Sequence, residues 1–323
     1  MVLATRRAAL AGLATLPFAG RGASAQDTSP ITLVVPFAAG GNTDVLARIV
    51  AQLVAVDLGR TVVVENRPGA GTMLGAQGVA ASEPNGRTYL FTTSGHAIAQ
   101  VLQPKLPFDP GKELVPLAQV ATVPMVVAVH PGVPAKTLGE LVAHMRANPG
   151  KLSFASAGSG SALHMAGELL KYVAKVEIAH VPYRGASPAL TDTMSGMVQI
   201  IVDGITTTAP LAKSGALRAL AVASPQRSPM LPDVPTAAEA GLPDYDTQIW
   251  NVVMARAGTP DSATAPFRAA LSRALESPDL ARRFAELGAE VTRGSTPEQV
   301  RELIRREIEK WRPVVAANGL KPA

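Results

Sequence analysis

The chain has 323 residues, enough for two domains with buried cores, and its apolar residues (47%) greatly outnumber its charged ones (17%), which excludes a disordered chain. It has no cysteine, which excludes both a disulfide framework and a thiol nucleophile. Aromatic residues make up 4% of the chain and offer few stacking platforms, which argues against a protein that binds nucleic acid.

The first 25 residues have the pattern of an export signal. Arg6 and Arg7 precede an apolar stretch over residues 8–19, and residues 23–25 (Ala-Ser-Ala) supply the small-residue pattern of a cleavage site. The apolar stretch is shorter than the about 20 residues that span a bilayer, so a membrane anchor is disfavoured. We predict export to the periplasm with cleavage after Ala25. The mature chain would then carry 27 basic and 25 acidic residues, which is too balanced for electrostatic binding of nucleic acid.

The mature chain opens with a strand, a glycine turn and a helix. The apolar run Ile31–Val35 is typical of a buried strand, and Gly40 and Gly41 interrupt it before three candidate N-cap residues at positions 42–44. Apolar residues then recur at helical spacing. The first N–H groups of such a helix have no partner within the helix and favour an anion.

Strands and helices alternate along the rest of the chain. Further strands are predicted at residues 61–65, 88–92, 120–129, 152–155, 198–202, 217–222 and 249–254, and helices at 73–81, from 137, after 161, at 189–195 and twice at the C-terminus. A proline-rich segment covers residues 224–243, and the last helix opens with a capping box at Thr296–Gln299. This alternation predicts an α/β fold with mainly parallel sheets.

Small polar turns follow several of the predicted strands. They contain Gly40–Gly41, Ser94–Gly95, residues 156–161 and Gly185. Ligands of open α/β sheets bind beyond the carboxyl ends of the strands, and glycine lets a ligand approach the backbone. The turns therefore predict a small carboxylate held by main-chain N–H groups and hydroxyls. Each turn taken alone fits an ordinary helix cap equally well.

Motifs of common enzymes and cofactor sites are absent or incomplete. Residues 69–75 imitate a dinucleotide fingerprint, but the third glycine comes one residue late, and no P-loop occurs. Ser159 and Ser161 lack the G-x-S-x-G elbow of a hydrolase nucleophile. His164 and Glu168 share a helix face and could bind a metal in principle, but we expect His164 to form a hydrogen bond near the mouth of the site. We predict no catalytic residue, cofactor or metal.

A series of short motifs follows in fixed order along residues 30–315. They are Pro36–Asp44, Val64–Gly71, Pro84–Gly86, Lys105–Asp109, Ser156–Ser161 with His164 and Gly167–Glu168, His180–Gly185, Pro188–Leu190, Arg218–Val222 and Leu231–Thr236. In this order they are very similar to the motifs of the Bug-type extracytoplasmic solute receptors of tripartite tricarboxylate transporters. Members of that family usually carry proline where Ala38 or Ala39 stands, and often lysine at Arg184.

The resemblance implies a two-lobed periplasmic-binding-protein fold of type II, a "Venus flytrap" with a mainly parallel sheet in each lobe, which closes around its ligand. We place the chain crossings near Val123–Pro124 and Ser224–Pro225. The first lobe would then comprise residues 27–124 and 225–323, and the second residues 125–224.

The resemblance also implies a function. It indicates a monomeric binding protein without enzyme activity, which captures a small carboxylate and delivers it to the membrane permease subunits of the transporter. A ligand-sensing receptor for a signalling partner would use the same fold and stays open as an alternative. An exported α/β hydrolase that uses Ser159 or Ser161 is a third, less favoured possibility.

The predicted substrate-binding residues combine the polar turns with family analogy. They are Phe37, Ala38, Gly40, Gly41, Asp44, Ser94, His96, Ser156, Ser159, Gly160, Ser161, His164, Tyr183, Arg184, Gly185 and Asp203. We expect Arg184 to pair with the second carboxylate of a dicarboxylate, unless it only stabilises its turn. Asp44 and Asp203 could form an acid pair, but helix capping suits them better because no activated nucleophile accompanies them.

Overall fold

The computed structural model describes residues 29–102 and 106–320. The predicted export signal at residues 1–25, its cleavage after Ala25 and Lys105 of the fourth motif lie outside these residues. Within the described ranges, no helix is both long enough and apolar enough to cross a membrane.

The described residues form ten strands and eleven α-helices. The strands are β1 (Ile31–Val35), β2 (Val62–Asn66), β3 (Thr88–Thr93), β4 (Leu114–Val129), β5 (Ser153–Ser156), β6 (Ala179–Pro182), β7 (Ile200–Gly204), β8 (Arg218–Val222), β9 (Gln248–Arg256) and β10 (Glu290–Val291). The helices are α1 (Asn42–Leu58), α2 (Met73–Ala80), α3 (Gly95–Leu102), α4 (Pro110–Glu113), α5 (Leu138–Ala147), α6 (Ala162–Ala174), α7 (Ala186–Met194), α8 (Ile205–Lys213), α9 (Asp261–Glu276), α10 (Pro278–Ala285) and α11 (Pro297–Ala317).

The strands form one curled, mixed sheet in the order β2-β1-β3-β9-β4-β7-β5-β6, with β8 and β10 also paired to β4. Its outer parts are parallel, because β1 pairs with β2 and β3, and β5 pairs with β6 and β7, in βαβ units. Its centre is antiparallel, where β9 and β4 meet their neighbours.

The long strand β4 belongs to both halves of the molecule. Its first part pairs with β9 as far as Pro124, which lies opposite Gln248. Its second part pairs with β7 from Met125, which lies opposite Gly204. We call the half with β1–β3, β9 and β10 the first lobe, and the half with β5–β8 the second lobe. The two-lobed α/β fold is thus confirmed, whereas the exact lobe limits stay a prediction.

Two predicted connections differ in the structure. Helix α3 begins at Gly95, directly after Ser94, where a polar turn was expected. Three helices, not two, follow β9, because α9 ends before Ser277 and α10 begins at Pro278. The Ser277 hydroxyl accepts from the N–H of Asp279, and proline suits the first position of a helix. The capping box of Thr296 and Gln299 is present.

Candidate ligand-binding site

A narrow cavity with an open mouth lies between the two lobes. The first lobe lines it with Phe37, Gly41, Asn42, Thr43, Asp44, Thr93 and Ile249, and the second with Ala157, Ala162, Leu163, Ala186 and Asp203. We call it the interlobe cavity. Because both lobes contribute its walls, a ligand bound there would hold the lobes together.

Two helices begin at the interlobe cavity, one from each lobe. Gly41 is the N-cap of α1 and Gly185 the N-cap of α7, and neither helix has a side-chain cap. The first N–H groups of each helix have no partner within the helix, and the helix dipole adds positive potential at the same point. A Cβ on Gly41 would lie 3.4 Å from the Cβ of Ala186, so the two helix ends are close together. This arrangement suits an anion.

The lobes are in direct contact around the cavity. The N–H of Ala38 in the first lobe donates to the carbonyl oxygen of Arg184 in the second, at 3.1 Å. A Cβ on Gly71 would lie 2.1 Å from the carbonyl oxygen of Ser159 across the interface. Only glycine permits such an approach, so the structure shows a closed arrangement in which Gly71 is a contact point.

Asp44 organises the turn between β1 and α1. Its Oδ2 accepts from the N–H of Gly40 and from Nε of Arg48, and its Oδ1 accepts from Nη2 of Arg48 and Nδ2 of Asn66, all at 2.9 Å. Burial acts to raise the pKa of Asp44, but the hydrogen bonds from Arg48, Gly40 and Asn66 outweigh it and lower the pKa. Asp44 therefore stays ionised, and its carboxylate is fully engaged in holding the turn.

Asp203 lies at the end of β7 and is completely buried. Its Oδ1 accepts from the N–H of Gly204 and its Oδ2 from the hydroxyl of Thr207, both at 2.7 Å. Burial raises the pKa of Asp203 to about 6, although the two hydrogen bonds act in the opposite direction. Unlike Asp44, this acid has only uncharged donors.

Several buried polar side chains, including that of the lining residue Asn42, have no hydrogen-bond partner among the described residues. They include both amide atoms of Asn42 and of Asn251, the hydroxyls of Thr72, Thr92, Ser94 and Thr206, and Nδ1 of His96. Leaving one such group unpaired costs about 1–3 kcal/mol. Native proteins pair nearly all of their buried polar groups, so this concentration indicates groups that a ligand or bound water would satisfy.

Two stacked histidines organise the predicted turn at residues 156–161. The rings of His164 and His180 lie 3.9 Å apart. Nε2 of His180 lies 2.6 Å from Oγ of Ser156, the N–H of Gly160 donates to Nδ1 of His164, and the hydroxyl of Ser161 caps α6. These residues hold the turn, which contributes Ala157 to the cavity wall, but they are not themselves among the lining residues.

The buried histidines predict how stability depends on pH. Burial lowers the pKa of His164 to about 3 and those of His180 and His96 to about 4. The unfolded chain therefore binds more protons between about pH 4 and 6.5, and stability should rise with pH over that window. Asp203 opposes this trend, because its raised pKa favours folding at low pH and that gain is lost by about pH 6. Because three histidines act in one direction and one aspartate in the other, we expect the net stability to rise with pH.

We therefore expect a higher Tm at pH 7 than at pH 4.5, measured by thermal unfolding of the mature protein. A His180→Gln variant should narrow the difference, because glutamine can still hydrogen bond to Ser156 but does not titrate. Equal Tm values at the two pH values, or an unchanged difference in the variant, would contradict the expectation.

The remaining predicted site residues surround the cavity. The hydroxyl of Tyr183 donates to Oδ2 of Asp192 at 2.6 Å, and Arg184 is exposed. Ser94 and His96 are buried around the start of α3. The predicted residues that line the cavity are Phe37, Gly41, Asp44 and Asp203, whereas Ala38, Gly40, Ser94, His96, Ser156, Ser159, Gly160, Ser161, His164, Tyr183, Arg184 and Gly185 do not. The predicted contact between Arg184 and a carboxylate stays a prediction.

Eight of the lining residues were not among the predicted ligand-binding residues. They are Asn42, Thr43, Thr93, Ala157, Ala162, Leu163, Ala186 and Ile249. Most of them adjoin a predicted residue, and Asn42 and Thr43 were considered only as helix caps. Ile249 had no local signal, because β9 reaches the cavity only through the long-range pairing of β9 with β3 and β4.

His164 and Glu168, considered as metal ligands, are engaged with other groups, and His164 is neutral because burial lowers its pKa to about 3. Nε2 of His164 lies 3.8 Å from Oε1 of Glu168, and Glu168 also pairs with Lys171 and accepts from Asn318. In the described part of the chain, no group of three or more histidine, aspartate or glutamate residues could hold a metal ion.

Comparison with known proteins identifies the family. Residues 46–320 match the model of the tripartite tricarboxylate transporter family receptor. BugT of Bordetella pertussis is 36% identical over 294 residues, which are 90% of each chain. The structure is similar to that of MatC from Rhodopseudomonas palustris with bound malate (TM-score 0.84, 37% identity, 88% of this chain and 98% of MatC). It is also similar to the periplasmic binding protein BugD (TM-score 0.86, 34% identity, 90% of this chain and 98% of BugD). The chain therefore belongs to the tripartite tricarboxylate transporter receptor family, a family of periplasmic solute-binding proteins of the Bug type and not of enzymes.

Proposed function

We propose that this receptor captures a small carboxylate in the interlobe cavity and holds it by main-chain N–H groups at the starts of α1 and α7. The observation that carries the proposal is the meeting of two helix N-termini without side-chain caps, one from each lobe, at a single cavity. The malate bound to MatC supports a carboxylate as the class of ligand.

A ligand that binds at both helix ends would favour closure of the two lobes. A ligand shifts a conformational equilibrium only as far as it binds one state better than the other. A carboxylate that reaches both Gly41 in the first lobe and Ala186 in the second gains its full set of hydrogen bonds only in the closed form. The closed form is the state that we propose the permease subunits recognise.

The processing of the chain, its oligomeric state, its partner and its lobe limits are part of the same proposal. The export signal is cleaved after Ala25, and the mature receptor acts as a monomer that delivers its ligand to membrane permease subunits. The first lobe comprises residues 27–124 and 225–323, and the second residues 125–224. The change of partner along β4 between Pro124 and Met125 supports the first crossing.

A comparison of acids with their amides tests the charge of the ligand. A thermal-shift screen of small mono-, di- and tricarboxylates on the mature protein should find compounds that raise Tm, because ligands that bind only the native state stabilise it. Replacing every carboxylate of such a compound by a carboxamide should weaken binding by about 100-fold, since charge-assisted hydrogen bonds are each worth about 1.5–3 kcal/mol. Calorimetry that finds equal affinity for acid and amide would remove the carboxylate from the proposal.

A further inference from the structure

The charged side chains that line the interlobe cavity are both acidic. Asp44 is paired with Arg48, whereas Asp203 accepts only from the N–H of Gly204 and the hydroxyl of Thr207. No lysine, arginine or histidine is among the lining residues. One carboxylate can be held by the helix N-termini, but a second one would be removed from water without a cation to pair with it.

Asn42 presents an unpaired amide to this cavity. It is 3% exposed, and neither Nδ2 nor Oδ1 has a hydrogen-bond partner among the described residues. It does not cap α1, because Gly41 holds the N-cap position. A Cβ on Gly204 would lie 3.2 Å from Cγ of Asn42, so the amide reaches from the first lobe to the end of β7 in the second lobe.

Asn251 is a second buried amide, and its position in the sheet relates it to the cavity. It lies opposite Thr93 in the pairing of β3 with β9, and two residues from Ile249 in its own strand. Residues at these positions share one face of a sheet, and both Thr93 and Ile249 line the cavity. Asn251 is completely buried, and both of its amide atoms also lack a partner in the described part of the chain.

The chemistry of these two amides indicates which group of a ligand would pair with them. An amide offers a donor and an acceptor together, whereas a carboxylate only accepts. A carboxylate placed against Asn42 could use Nδ2 but would leave Oδ1 unpaired and would face the acidic Asp203. A hydroxyl or a carboxamide can both donate and accept, so it can pair with both amide atoms without introducing a charge.

We propose that Asn42, together with Asn251, forms a neutral polar subsite that selects a solute with one carboxylate and one uncharged hydrogen-bonding group over the corresponding dicarboxylate. This inference rests on the proposed carboxylate-receptor function. It makes Asn42 a specificity-determining residue and assigns no such role to Arg184.

Matched ligand series test the subsite. Each series contains a diacid, its monoamide, the hydroxy acid of the same chain length and the diamide, for example succinate, succinamate, 4-hydroxybutyrate and succinamide, with homologues based on glutarate and adipate. Calorimetry on the mature protein should find the monoamide or the hydroxy acid bound at least about tenfold more tightly than the diacid in one series. Asn42→Ala should bring the ratio of the two affinities close to one. The substitution should not disturb the fold, because the Asn42 side chain makes no hydrogen bond among the described residues.

The outcomes separate the subsite from the receptor function. If no carboxylate binds better than its diamide, the proposed function fails. If carboxylates bind but the diacid binds as well as the monoamide and the hydroxy acid, the receptor function stands and the subsite is wrong. An unchanged ratio in Asn42→Ala also overturns it. An Arg184→Ala variant that weakens the diacid alone would assign selectivity to the arginine instead.

Discussion

Replacement of Gly71 by alanine should weaken ligand binding by roughly 10- to 100-fold while both lobes stay folded. The added Cβ would lie 2.1 Å from the carbonyl oxygen of Ser159 in the opposite lobe, so the closed form must shift, whereas an open form avoids the clash. The flanking residues Ala70 and Thr72 have positive φ angles of 46° and 121°, so this loop has little freedom to adjust. Calorimetry with a carboxylate from the screen measures the loss, and small-angle scattering measures the degree of closure.

Gly59→Ala is the matched control. Gly59 has φ of 61° and Gly71 has φ of 63°, so both substitutions carry the same left-handed backbone strain, but a Cβ on Gly59 meets nothing within 4 Å. Gly59→Ala should lower Tm slightly and leave affinity unchanged. If both variants bind alike, contact between Gly71 and Ser159 is not needed for closure on the ligand.

Gly41→Val should weaken binding by about 100-fold or more, because it blocks the start of α1, where two or more charge-assisted hydrogen bonds to the ligand are proposed. Its Cβ would lie 3.4 Å from the Cβ of Ala186, and the two further methyl groups would project between the helix ends. The backbone at Gly41 is extended (φ −80°, ψ 167°), which valine adopts readily, so the fold should be unaffected.

Gly139→Val provides the comparison for Gly41→Val. Gly139 lies exposed in the first turn of α5, and a Cβ there meets nothing within 4 Å. The same change of side chain should therefore leave affinity unaltered at this position. A folded Gly41→Val protein, judged by circular dichroism, that binds normally would show that the ligand does not approach the start of α1.

Local patterns were sufficient to predict most elements of the fold. The unit of β1, glycine turn and α1 follows from an apolar run, two glycines and helical spacing, and all of these lie within thirty residues. The error at α3 has a physical reason. Ser94 and Gly95 have the composition of a turn, and the helix that begins there is stabilised by burial of Ala97, Ile98 and Ala99, which short-range preference does not show.

The site was less predictable than the fold, because a cavity wall depends on packing between distant segments. The turn at residues 156–161 has the small polar residues of a binding loop, and only the structure shows that Ser156 and Gly160 also hydrogen bond to His180 and His164. Asn42 was visible in the sequence as a helix cap, and only the structure shows that its amide has no partner in the described chain. The composition of the turns indicated where main-chain N–H donors lie, but it could not indicate which side chains face the ligand.

The position of β9 in the sheet imposes an order on assembly. The partners of β7, β5, β6 and β8 all lie between residues 125 and 222, so the second lobe can complete its sheet from one contiguous stretch of chain. In the first lobe, β9 separates β3 from β4, so that sheet stays divided until residues 248–256 arrive. Closing loops of that length is entropically slow. A chain that reaches its compartment unfolded and N-terminus first therefore exposes the edges of β3 and β4 longest, and these edges are where a chaperone would be needed.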